Sequence, residues 1–311
     1  MTRKAPTNIA ASIRARLHNY ARSQGDDFQR VLTRYAIERL LVRLSRTQAA
    51  QDYILKGAML FATWPTQAHR PTIDLDLLGQ GDPHSTAIQN VFEAIFQVDV
   101  PEDGIAFDRS TLRVESVREE AQYQGVRLTV NAVLGAARIP VQVDIGFGDH
   151  VHPRPTRAVF PPLLPDLPEA RLLMYPPETV IAEKFEAMLR FGLSNSRIKD
   201  FYDIWLTIQT FDLQLPDVVE AVRGTLLQRQ TPFPTDRPDG LTAAYVASVN
   251  DMGLWTGFLR RTPPTLTPPD FPELQAMLRR FFAPVISALP APESAHGRWD
   301  RHRRAWSRDR A

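Results

Sequence analysis

The sequence predicts an α+β fold: a mixed β-sheet core, a helical segment before it and a helical bundle after it. Three patterns carry that expectation. Apolar residues recur at steps of three and four across residues 26–45. Several short runs between 72 and 148 alternate apolar and polar residues, and helical spacing returns after 177. A helix that follows an early strand, and is itself followed by a meander of strands, points to helices packed on a mixed sheet and away from an all-β sandwich.

Residues of about 8–48 read as helical. In DDFQRVLTRYAIERLLVRLS, Asp26 or Asp27 can cap, and Phe28, Val31, Leu32, Tyr35, Leu40, Leu41 and Leu44 form the buried stripe. Arginines fill most of the opposite side, which predicts a solvated basic face. YILKGAMLFAT (53–63) reads equally as a short strand or a helix start, whereas TIDLDLL (72–78) reads as a strand. After the turn-like GQGDP comes a helix over 84–97. Three strand-like runs follow: STLRVESVRE, GVRLTVNAVLG and RIPVQVDIGFG. The Pro-rich stretch PRPTRAVFPPLLPDLPEA reads as a connector, because proline neither donates to a ladder nor continues a helix. PPETVIAEKFEAMLRFG has proline at its start and Gly192 at its stop, and RIKDFYDIWLTIQTF is a second helix after a short loop. Residues 216–229 and 270–288 also read as helices, with PPTLTPP as a spacer between them and disorder expected from Pro290 onward. The expected organisation is N-terminal helices plus sheet core over 1–160, a helical domain over 161–289, and an Arg-rich tail over 290–311.

Composition narrows the chemistry. The 311 residues contain no cysteine, which excludes a thiolate nucleophile, disulfides and Cys-ligated metal. With 43% hydrophobic and 23% charged residues the chain has the makings of a globular core. No apolar run reaches the roughly 18 residues of a membrane span and the first residues lack an apolar signal region, so a cytoplasmic, non-membrane protein is expected. The net charge of +2 is uneven: RWDRHRRAWSRDR carries six Arg and two Asp, leaving net −2 for everything before it.

Side chains two apart on a strand share a face, so Asp74 and Asp76 project together. Adjacent carboxylates repel and call for a cation. Mg²⁺, held by one or two carboxylates together with substrate phosphates, meets that need, although a solvated edge strand fits the same alternation. Asp144, in VQVDIGFGD, joins them if its strand lies beside theirs, and three such carboxylates scaffold metal-assisted phosphoryl or nucleotidyl transfer. Asp149, beside Gly148, reads better as a turn residue. Upstream, Lys56 and Gly57 precede Ala58; a glycine there admits phosphate oxygens to the backbone, and a surface lysine is the plain alternative. Lys184 and Asp203 stand about equally far from the loop near Ser194, so an antiparallel hairpin brings them side by side, and Asp200 shares Asp203's face. An ordinary Lys–Asp bridge explains that spacing equally well. Arg197 and Lys199 place positive charge near the second helix's start, against the helix dipole, as expected where an anion is handled.

Taken in order, Lys56-Gly57, RPTIDLDLLG, VQVDIGFGD, YPPETVIAEKFEAML and NSRIKDFYDIW resemble the AbiEii/AbiGii-type nucleotidyltransferase toxins, which include the MenT-type toxins and belong to the polymerase-β-like nucleotidyltransferase superfamily. The resemblance runs from about residue 28 to 282 and implies a nucleotidyltransferase-type sheet core. It implies that Lys56, Gly57 and Ala58 form the substrate-phosphate stretch, with Ala58 where the family has Ser or Gly. It implies that Asp74 and Asp76 bind metal and that Asp144 is the third carboxylate, a metal ligand that helps deprotonate the attacking hydroxyl. Lys184 would contact the triphosphate, and Asp200 and Asp203 would be the last acidic motif. The implied reaction is transfer of a nucleotide from an NTP, with Mg²⁺ or Mn²⁺ as cofactor, pyrophosphate as leaving group and RNA, a tRNA 3′ end, as acceptor. A cognate antitoxin is the implied partner, in a toxin–antitoxin or phage-defence system. A protein side chain as acceptor, favoured by the near-neutral body, and a nucleotide-binding module with little catalysis remain open alternatives.

Overall fold

The computed structural model describes residues 8–65, 72–119 and 123–307. The chain divides into two compact units, one made of residues 8–63, 72–148 and 157–174 and the other of residues 149–156 and 175–307 with residues 64–65. The segment 157–174 therefore belongs with the sheet, and the expected boundary at 160/161 falls at 174/175. Among the described residues no helix is long and apolar enough to cross a membrane.

In the sheet unit, α1 (Ile9–Gln24) and α2 (Phe28–Ser45) are separated by a break at Gly25. Asp27 caps α2, its side chain accepting from the Arg30 N–H at 3.0 Å. The strands are β1 (Tyr53–Lys56), β2 (Asp74–Gly79), β3 (Ile105–Glu119), β4 (Tyr123–Leu134), β5 (Ala137–Phe147), β6 (Thr156–Phe160) and β7 (Ala170–Met174), with α3 (Ser85–Phe96) after β2. They form one sheet in the order β3-β4-β5-β2-β1-β7-β6. It is mixed: β2 runs parallel to β5 and β1 parallel to β7, and the β1–β2, β3–β4 and β4–β5 pairs are antiparallel. Leu75, Leu77, Val141, Val143 and Ile145 form a buried face, and α2 packs on β5 and β7.

Two expectations fail here for physical reasons. The basic side of α2 is only partly solvated: Arg30 and Arg34 are half-buried, and Arg39 and Arg43 are 0% and 4% exposed. Arg43 forks onto Asp103 at 2.7 and 3.2 Å and donates to the Ile105 carbonyl at 2.9 Å, while Arg39 pairs with Glu38. Neighbours on several sides turn that helix into a core element, and each buried arginine carries its own carboxylate. The Pro-rich connector, for its part, contains β6 and begins the approach to β7. Its prolines at 161, 162, 165 and 168 lie between these strands, where no ladder donor is needed.

The second unit is mainly helical: α4 (Pro177–Phe191), α5 (Ile198–Thr210), α6 (Leu215–Gln228), α7 (Ala243–Asp251), α8 (Leu254–Arg261) and α9 (Phe271–Ala288). The short α7 and α8 lie between the two helices expected over 216–229 and 270–288, ahead of the PPTLTPP spacer, in a stretch for which no element was predicted. A two-residue strand, β8 (Leu213–Gln214), joins β9 (Arg298–Asp300) and β10 (Ala305–Ser307) in the order β10-β9-β8. The disorder expected from Pro290 onward is therefore wrong as far as 307. Trp299 is fully buried, donates from Nε1 to the Ile208 carbonyl at 2.8 Å and lies edge-on to Phe281. Residues 308–311, covered by the same expectation, lie outside the described residues.

Candidate active site

β1 ends at Lys56, and Gly57 follows with φ +69°, a left-handed conformation in which only glycine is unstrained. Its missing side chain matters for a second reason. A Cβ there would lie 1.9 Å from the Asp76 Oδ2, so the Asp76 carboxylate rests against the backbone at Gly57. Ala58 then opens a 3₁₀ turn over Ala58–Thr63, with its methyl group buried.

Strand register brings the sequence-distant Asp144 beside the Asp74–Asp76 pair. Asp74 and Asp76 alternate with buried Leu75 and Leu77 on β2, so both lie on the less buried face. In the parallel β2–β5 pair Asp76 stands opposite Asp144, and Asp74 opposite Gln142. In the antiparallel β1–β2 pair Lys56 stands opposite Asp76, and in β4–β5 Arg127 stands opposite Asp144. Lys56, Asp76, Asp144 and Arg127 thus make one row across four strands, roughly 14 Å long at the usual interstrand spacing. The charges along it run plus, minus, minus, plus.

Arg127 was not anticipated. Its Nε donates to Asp144 Oδ1 at 2.7 Å and its Nη2 to Asp144 Oδ2 at 3.0 Å, while Gln142 Nε2 donates to Oδ2 at 3.0 Å. The only signal in GVRLTV was a charged residue alternating with valine and leucine, which says nothing about which strand lies alongside. Among the described residues no three His, Cys, Asp or Glu side chains stand together as a metal-holding group. The register brings Asp74, Asp76 and Asp144 to one face, but Asp144 spends its oxygens on Arg127 and Gln142. Asp74 and Asp76 suit a hard divalent cation by donor chemistry, as oxygen ligands on one strand face, with the bare Gly57 making room for the Asp76 carboxylate itself.

The helical unit holds its own constellation. Lys184 on α4 donates to Asp200 Oδ1 at 3.0 Å and Asp203 Oδ2 at 2.7 Å, both on α5. Lys184 keeps 15% of its side chain exposed, while both aspartates are buried. Arg197 donates to the remaining Asp200 oxygen at 2.6 Å, so the charge that looked misplaced at the start of α5 has a carboxylate one turn on. Burial alone would raise the Asp200 carboxyl; Lys184 and Arg197 outweigh it and hold the group down at about 2. Asp149 lies in the loop just after β5, where a turn residue was expected, and its side chain pairs with Arg229 at 3.1 Å. Arg229 also reaches Glu183 and Glu186, at 3.4 and 2.9 Å. No local pattern in the sequence marks Arg229, whose partners lie 43 to 80 positions away.

Residues 39–279 match the family profile described as the nucleotidyl transferase AbiEii toxin of type IV toxin–antitoxin systems. No curated protein matches the sequence. Among solved structures, the chain is similar to JHP933 from Helicobacter pylori at 13% identity and a TM-score of 0.47, covering 86% of this chain and 96% of that one. It is also similar to a second H. pylori protein, provisionally assigned as a nucleotidyltransferase, at 13% identity and a TM-score of 0.37, covering 74% and 95% of the two chains.

Proposed function

We propose that this chain, which belongs to the AbiEii family of nucleotidyltransferase toxins, moves a nucleotide from a nucleoside triphosphate onto an RNA hydroxyl, the 3′ end of tRNA, with Mg²⁺ or Mn²⁺ as cofactor. The observation that carries the reading is the register of β2 with β5, which sets Asp76 opposite Asp144 with Asp74 on the same face and Gly57 against Asp76. A toxin of a type IV system implies an antitoxin counterpart, and a role in phage defence is consistent with it.

Asp74 and Asp76 supply the oxygen ligands. The divalent cation, when bound there, supplies Lewis-acid neutralisation of the triphosphate. Gly57 lets phosphate oxygens approach the backbone, and Lys56, opposite Asp76 in the same row, adds positive charge. Asp144 takes the proton of the attacking hydroxyl as its oxygen bonds the α-phosphorus, and the bond to the departing pyrophosphate breaks. In the helical unit Asp200 and Asp203 hold the Lys184 ammonium in place as a fixed cation of that unit.

Incubating the protein with each α-labelled NTP, Mg²⁺ and total RNA tests this reading. Label should pass to the tRNA fraction and vanish in Asp74→Ala. Label on protein would move the acceptor to a side chain, and no transfer to RNA or protein with any NTP overturns the proposal.

A further inference from the structure

We infer that Arg127 is the positioning residue that fixes what Asp144 can do: it leaves that carboxylate a single open acceptor position, enough for one hydroxyl hydrogen and too little for a chelating metal ligand. The inference rests on the nucleotidyltransferase reading of this sheet face.

An ionised carboxylate offers about four lone-pair positions. On Asp144 three are taken: one on Oδ1 by Arg127 Nε, and two on Oδ2 by Arg127 Nη2 and Gln142 Nε2. The one left belongs to Oδ1, on a side chain 28% exposed, so an incoming group can reach it. The backbone enforces this arrangement. Arg127 and Asp144 are directly paired in the β4–β5 ladder, and Gln142 is two residues before Asp144 on the same face. The guanidinium fork matches a carboxylate through two parallel bonds, which an ammonium does not reproduce.

The consequence is a division of labour between register partners. Asp76, with Asp74, serves the cation. Asp144, turned toward Arg127, presents one oxygen lone pair to the acceptor hydroxyl. A second cation drawn to Asp144 has to compete with the Arg127 fork, so Arg127 acts as a built-in substitute for it.

The test is Mn²⁺ alone titrated into the full chain, with free ion followed by electron paramagnetic resonance. Wild type should take up Mn²⁺ and lose it in Asp76→Asn. Arg127→Gln should bind about tenfold tighter or gain a second ion, the scale seen when groups behind a metal ligand are changed. Adding Asp144→Asn to Arg127→Gln should return the wild-type isotherm. Arg127→Lys keeps the charge but loses the fork, and should also gain Mn²⁺ affinity; it carries the test where Arg127→Gln lowers stability. Variant isotherms that superimpose on wild type, or a gain that survives Asp144→Asn, overturn the inference while leaving the Asp74–Asp76 site standing. No Mn²⁺ uptake by wild type overturns the metal reading itself, and this inference with it.

Discussion

At Gly57 two independent constraints meet on one hydrogen atom. The backbone is left-handed at φ +69°, and a methyl group would occupy the space of the Asp76 carboxylate. Gly57→Ala should therefore cost on the order of 1–3 kcal/mol, from the backbone penalty plus the displaced carboxylate. It should also weaken Mn²⁺ binding, because Asp76 has to turn away. Denaturant midpoints and Mn²⁺ titrations of the two proteins check both effects; an unchanged midpoint would refute the steric argument. Gly57, Asp74 and Asp76 were legible in the sequence because strand period and local chemistry depend only on near neighbours. The Lys184–Asp203 approach was legible too, since helix rise and loop position fix which residues of a hairpin meet. Arg127 and Arg229 were not, because each finds its carboxylates through strand or helix neighbours that no local pattern specifies.

At the scale of elements, the start of α4 shows how burial overrides position. A glutamate in the first turn of a helix is favoured as a charge by the helix dipole. Yet burial, with Asp217 adding to it, pushes the Glu178 carboxyl up to about 7, against its own backbone N–H and His152. The sign follows from proton uptake. Between its unfolded value of 4.5 and about 7 the folded protein holds the proton more tightly than the unfolded chain. Stability from this group is thus fully present below 4.5 and is lost as pH rises through about 7, a fall on the order of 3 kcal/mol. Glu178→Gln should remove that fall, so urea midpoints at pH 5 and pH 8 should lie closer together in the variant than in wild type. An unchanged gap would show that Glu178 ionises normally. The same rule explains the misread face of α2: its arginines look like a solvated surface in sequence, but α1, the sheet and α3 pack around the helix, and Arg43 and Arg39 find carboxylates in Asp103, from the turn before β3, and in Glu38 of α2 itself.

At the scale of the whole chain, the Arg-rich C-terminal stretch invites reading as a detachable nucleic-acid arm, and its packing argues otherwise. The family match ends at 279, inside α9, so the β9–β10 hairpin lies beyond it. That hairpin nonetheless completes the core of the helical unit. Trp299 is wholly buried against Phe281, and Trp306 donates from its indole N–H to the Phe281 carbonyl at 2.9 Å. Several arginines of the stretch already have partners: Arg298 bridges Asp212 at 2.8 Å, and Arg301 donates to the Thr210 carbonyl at 2.6 Å. Composition could not reveal this, because two tryptophans among arginines read the same whether they stack on bases or fill a core. Removing residues 298–311 should therefore destabilise the helical unit by about 3–5 kcal/mol, the usual cost of emptying a buried tryptophan site. Trp299→Ala alone should reproduce most of that loss in a thermal melt. RNA binding lost on truncation would then report unfolding, not a missing contact. The informative change is Arg303→Gln with Arg304→Gln, at exposed turn positions outside the tryptophan core. A melt unchanged by truncation would return the stretch to the status of a loose arm.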